Sequence, residues 1–238
     1  MEFKKIIDKM KSKYDEIVRN VYNNNYVEAL QNFDDIAEKE IKPLLTYVTK
    51  NKEQIWRNNR GKIYEYAVYK ALENIVNSDE KLKASLKVIQ GDSLKSNKNL
   101  KSQIVIRNWS DIMPDADIII IDVYNNVKAI ISCKTSLRER LTETAFWKRE
   151  LERNPSTKKV KIVFITIDKD DELKIDTNRY IIQHVIDFTF ITSKDRYSEL
   201  LFSLSKYKNK PDYNQLISKI KFFDENNVKD FLQKLLYE

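Results

Sequence analysis

The sequence predicts an α/β fold, a mixed β-sheet flanked by helices with a helical annex at the N-terminus, and three observations lead to it. Two β-branched apolar runs, 118–124 and 127–133, are separated by a short polar turn, and a third, 159–168, follows a helical stretch. Runs that are apolar at nearly every position read as strands buried on both faces. Residues 3–21, 29–49 and 57–76 instead repeat their apolar residues every three or four positions, which is the helical period.

Taken in order, Phe3, Ile6, Ile7, Met10, Tyr14, Ile17, Val18 and Val21 mark a first helix. Ala29 to Thr49 resumes the pattern, with Pro43 as a boundary or kink. Nothing here carries chemistry by residue type, so core packing is expected, with dimerisation or an embrace of DNA as the alternative. Arg57 to Val76 reads as a helix starting near Arg60-Gly61, with Ile63, Ala67, Ala71 and Ile75 on one stripe. Glu65 lies among these apolar positions, where a carboxylate is costly to bury unless it meets a cation or a metal. A surface pair with Arg60 or Lys62 is the other reading.

Residues 77–99 are polar and lysine-rich around a short strand at Leu86–Ile89, and Ile104–Ile106 is expected to be another strand. Glu139 to Glu152 reads as a helix ended by Asn154-Pro155-Ser156. Strand or helix alternates over 180–204, and 213–237 closes the chain as a helical stretch. The expected division is a helical annex over 1–55 and a core with C-terminal helices over 56–238.

Composition narrows the partners. The chain has 238 residues, a net charge of +7 and a pI near 9.1, which favours an anionic partner, nucleic acid ahead of membrane. A lysine-rich composition bias would give the same charge. Cys133 and His184 are the only residues of their kinds, which excludes internal disulfides and zinc clusters. Cys133 reads as a buried inert thiol and His184 as a hydrogen-bonded structural residue. The opening MEFKKIIDKM is not a secretory leader and no apolar run spans a membrane, so a cytoplasmic protein is expected.

The chemistry concentrates in Pro114–Trp147. If the apolar runs close as a hairpin on Asn125-Asn126, Asp117 stands opposite Lys134 and Asp115 opposite Ser136. Side-chain alternation then sets both aspartates on the face of Ser132 and Lys134. A salt bridge at a sheet rim is one reading. The other is a one- or two-metal phosphodiesterase, in which carboxylates hold Mg2+ and the lysine stabilises or deprotonates the attacking water.

This stretch resembles the PD-(D/E)xK nuclease superfamily, and within it the type II restriction endonucleases. Pro114-Asp115 supplies the PD, and Ser132-Cys133-Lys134 stands where (D/E)xK belongs. The serine departs from the pattern, as in a subset reading CCGG- and CCNGG-type sites that takes its second carboxylate from the following helix. The resemblance therefore implies Glu143 as that acid, with Glu150 in reserve. It also implies that Arg138-Glu139-Arg140 reads G·C pairs, and that Glu65 resembles a glutamate that approaches the metal from the helix before the sheet.

The function expected is Mg2+-dependent, sequence-specific cleavage of double-stranded DNA at a palindromic site with a CC/GG core. Asp117 or Asp115, with Glu143, would hold the metal, Lys134 would act on water, and Glu65 would assist. A homodimer or a tetramer is implied, with a cognate DNA methyltransferase in the same cell. Two alternatives stand beside this one. A repair or recombination nuclease would share the site without base readout, and a non-catalytic DNA- or RNA-binding module would share only the charge.

Overall fold

Six strands lie side by side in chain order. Among the first three, β1 (Leu86–Gln90), β2 (Ile118–Asp122) and β3 (Val127–Lys134), each adjacent pair is antiparallel. From β3 onward β4 (Lys161–Thr166), β5 (Phe188–Ile191) and β6 (Ile220–Phe222) are parallel. The structure is a computed structural model and describes residues 2–45, 51–107, 109–136 and 140–237.

The helices follow from the connections. Before β1 come α1 (Glu2–Val21), α2 (Tyr26–Gln31), α3 (Phe33–Ile36), α4 (Lys52–Ser78) and α5 (Glu80–Ser85). Between β1 and β2 lies α6 (Lys98–Ile104). Parallel strands need crossovers, which α7 (Arg140–Arg153), α8 (Asp176–His184), α9 (Lys194–Leu204) and α10 (Tyr213–Lys219) supply. Finally α11 (Glu225–Tyr237) ends the chain.

Strand alternation sorts the apolar residues into two cores. Ile118, Ile120, Ala129, Ile131 and Cys133 face one core, shared with α1 to α5 and α11. Ile119, Ile121, Ile130, Ile162 and Phe164 face the other, shared with α6 to α10. The sheet is thus covered on both sides, which is why its central strands lack polar alternation. The stripe Ile63, Ala67, Ala71 and Ile75 is buried against the first core as expected.

Several elements differ from expectation. Helix α4 begins at Lys52, eight residues before Arg60, because Gly61 faces open space and interrupts nothing, while Trp56 and Arg60 pack inward. It runs through the expected boundary at 55, and α1 shares a core with it. Residues 29–45 form α2, α3, a π-helical turn (Ala37–Ile41) and a 3-10 turn (Lys42–Leu45) rather than one helix; residues 46–50 of the expected span lie outside the described residues. Ile104 ends helix α6, and only Ile106 makes an isolated bridge, with Ile112. The expected closing helix is split by β6.

Candidate active site

The acids sit on the lead-in to β2. The Asp117 amide donates to the Ile131 carbonyl at 3.1 Å, so pairing with β3 has begun before the strand proper. At the end of β3, Lys134 Nζ donates to Asp117 Oδ2 at 2.9 Å and to Asp115 Oδ2 at 3.1 Å. The same Asp117 oxygen accepts the Cys133 amide at 2.7 Å.

The register differs from that of a hairpin closed on Asn125-Asn126. Ile118 pairs with Ile131, so by extension Asp117 stands beside Ser132 and Asp115 beside Lys134. The cause is the turn. Asp122 accepts the amides of Tyr124 and Asn126 at 2.9 and 2.8 Å, and Asn125 takes φ 62, so the strand stops at Asp122 and the loop is longer than two residues. A slip of two residues keeps every side chain on its face, whereas a slip of one would have turned the acids away from the lysine.

The electrostatics show crowded negative charge. Burial alone would lower the Lys134 pKa, but Asp117 and Asp115 outweigh it and hold the ammonium well above the usual lysine range. Burial raises Asp117, against the pull of Lys134 and the Cys133 amide. Glu65, on α4, is pushed up to about 8 by burial and then by Asp117, against the pull of Lys134, with Asp115 and Asp92 adding to the rise. Arg60 does not relieve it, because its guanidinium pairs with Asp34 at 2.6 Å. Among the described residues Glu65 forms no ion pair.

Glu65, Asp115 and Asp117 line one cleft of about 800 Å3, whose walls also include α1, Gly91 and α6. Among the described residues no three Asp, Glu, His or Cys side chains converge closely enough to hold a metal as they stand. Lys134 takes the aspartate oxygens instead.

The other sequence candidates lie elsewhere. Glu143 on α7 pairs with Arg140 at 3.1 Å and does not line the cleft, and Glu150 pairs with Arg153 at 3.0 Å. Arg138 and Glu139 lie outside the described residues, so only Arg140 of that triplet is described. Cys133 is buried, whereas His184 is exposed and rests against the Tyr180 ring at 4.5 Å rather than in a buried hydrogen-bonded setting. Sequence reasoning missed Gly91, and for α1 it held an embrace of DNA only as the alternative to core packing. Gly91 could have been flagged as one of only two glycines, while α1 gave no signal beyond its helical period.

A mixed sheet between two helical layers, with its antiparallel hairpin joined to parallel strands, has the fold of the restriction-endonuclease class. A family model described as BsaWI restriction endonuclease type 2 matches residues 96–222, just over half of the chain. The chain belongs to this family and is a type II restriction endonuclease, a site-specific deoxyribonuclease. It is 30% identical over 155 residues to a protein of Methanocaldococcus jannaschii named as the type II restriction enzyme MjaVIP, covering 60% of this chain and 68% of that one. It is 49% identical over 51 residues to a protein of Helicobacter pylori named as the type II restriction enzyme HpyAORF263P, covering 21% of this chain and 26% of that one. The fold matches the restriction endonuclease PspGI in complex with its substrate DNA, with a TM-score of 0.62, 14% identity, and coverage of 96% of this chain and 93% of that one. Among the described residues no helix is long and apolar enough to cross a membrane.

Proposed function

We propose that this endonuclease cuts both strands of DNA with a divalent cation held by Asp117, Asp115 and Glu65, and that Lys134 is the cationic group at the attacking water. The observation that carries the reading is the convergence of Lys134 on both aspartates at a cleft that Glu65 also lines. Carboxylates are the hard oxygen donors that Mg2+ prefers. Glu65, half-buried beside Asp117 and forming no ion pair among the described residues, is held up at about 8 even with Lys134 nearby, and a bound cation would favour its charge. Such an ion supplies Lewis acidity at the phosphate and acidifies a bound water.

The chain's own groups would do the rest. Lys134, kept protonated by its two aspartates, can donate to a water or to the phosphoryl oxygen where charge develops. Asp117 fixes the lysine and is itself fixed by the Cys133 amide. Glu65 stands in for the acid that Ser132 does not supply; what favours it over Glu143 is its place on the cleft wall. Arg138, Glu139 and Arg140 would read a palindromic site with a CC/GG core, each triplet of a homodimer serving one half-site. A cognate methyltransferase and a cytoplasmic setting belong to the same reading.

Incubation of plasmid DNA with Mg2+ tests it. The wild-type protein should give discrete bands, and Lys134→Ala should lose cleavage by roughly a hundredfold or more while still binding DNA. A Lys134→Ala protein that cuts at near wild-type rate would falsify the site assignment.

A further inference from the structure

Three lysines with no part in the acid cluster line the same cleft: Lys11 on α1, Lys62 on α4 and Lys101 on α6. They come from both helical layers, since α1 and α4 pack on one face of the sheet and α6 on the other. Lysines elsewhere are commonly neutralised by a nearby carboxylate, as Lys39 is by Asp35 and Lys229 by Glu225. These three form no ion pair among the described residues. For Lys11 the reason is visible. Asp15, one helical turn on, is taken by the hydroxyls of Tyr66 at 2.7 Å and Tyr26 at 3.2 Å, and the ammonium lies 5.0 Å over the Tyr66 ring instead. Lys62 sits one turn before Glu65 on the face that carries the acid to the cleft, and it is exposed.

Unpaired ammonium groups are spent on an anion or on solvent. Here they border a cleft whose floor must receive a phosphodiester, and the polyanion that fits is the DNA backbone on either side of the cut. We propose that Lys11, Lys62 and Lys101 form a phosphate clamp that seats duplex DNA over Asp115 and Asp117, with α1 contributing one jaw. This rests on the reading that cleavage occurs at those aspartates. It also gives the N-terminal helix, which lies outside the matched family region, a role in substrate positioning.

Phosphate contacts leave a signature that mere folding roles do not, because each one releases condensed counterions. The salt dependence of duplex binding should flatten by roughly 0.9 in log–log slope for each lysine lost. The test uses the full-length protein and a labelled duplex of arbitrary sequence in EDTA, with binding followed by anisotropy across a KCl series. Lys11→Ala, Lys62→Ala and Lys101→Ala should each flatten the slope, and the triple variant should combine them, with melting temperatures unchanged. Lys208→Ala, exposed and away from the cleft, should leave the slope as it is. A triple variant with the wild-type slope, or an equal flattening by Lys208→Ala, overturns the clamp. Failure of the active-site reading is seen separately, as Lys134→Ala that still cuts.

Discussion

The Gly91 amide donates to the Asp117 carbonyl at 2.8 Å, and a Cβ on Gly91 would lie 1.7 Å from the Ala116 carbonyl oxygen. Glycine is required here by close approach, since its φ is not in the left-handed region. The end of β1 is thereby pressed against the segment that aims both aspartates at Lys134. Gly91→Ala must push that segment away, and overpacking of this kind costs about 1–3 kcal/mol. Cleavage should fall further than stability explains, because the aspartates move with the backbone. Calorimetry gives the first quantity and cleavage rate at a temperature where both proteins are folded gives the second. An unchanged rate would show that the lead-in holds its geometry without Gly91.

The identity of the second acid separates two residues by experiment. Glu65 lines the cleft with the aspartates, whereas Glu143 is turned to Arg140 on its own helix. Glu65→Gln removes a charge that a cation would use and keeps the shape, so cleavage should drop by about a hundredfold or more and need higher Mg2+. Glu143→Gln and Glu150→Gln should stay within a few-fold of wild type. Measuring the three rates against Mg2+ concentration decides between them, and a severe loss in Glu143→Gln alone would return the role to α7.

Base readout by Arg138, Glu139 and Arg140 is part of the proposed reading, on their chemistry and their sequence position just past Lys134. Arginine can give guanine two hydrogen bonds and glutamate can accept from cytosine, so each lost pair should cost about 1–3 kcal/mol of discrimination. Arg140→Ala should relax the cut site while leaving non-specific binding intact. Sequencing the cut ends of wild type and variant reads this out; a site without adjacent G·C pairs would end the assignment.

The sheet centre and the acid–lysine contact were legible in the sequence because both rest on period and parity. Continuous apolar runs mark β2, β3 and β4, and alternation fixes which face carries Asp115, Asp117 and Lys134 even though the loop between the strands is longer than Asn125-Asn126. Short elements were not legible. Strand β6 is three residues inside a helical context, and Ile104 carries a β-branched side chain at the end of a helix held by the Asn97 cap. The cleft itself depends on α1 and α4 meeting residues about fifty to a hundred positions away, which no local pattern encodes.

Asp168 offers a test through pH. It follows β4 as a fully buried carboxylate at φ 56, accepting the amides of Glu172 at 2.9 Å and Leu173 at 3.3 Å. Burial raises its pKa to about 7 despite those two donors, and Asp171 and Glu172 add to the rise. An unfolded aspartate titrates near 3.9, so between about pH 4 and 7 the folded state binds the extra proton. Stability from this group is therefore fully present below about pH 4 and is lost as pH rises through about 7. Asn at this position keeps the accepting oxygen, tolerates positive φ and carries no charge. Relative to wild type, Asp168→Asn should gain stability between pH 5 and pH 8, on the order of 2 kcal/mol. Taking the difference between the two proteins cancels the other titrating groups. If urea melts show the variant losing ground at pH 8 instead, the carboxylate is charged and stabilising in the fold, and the burial argument fails.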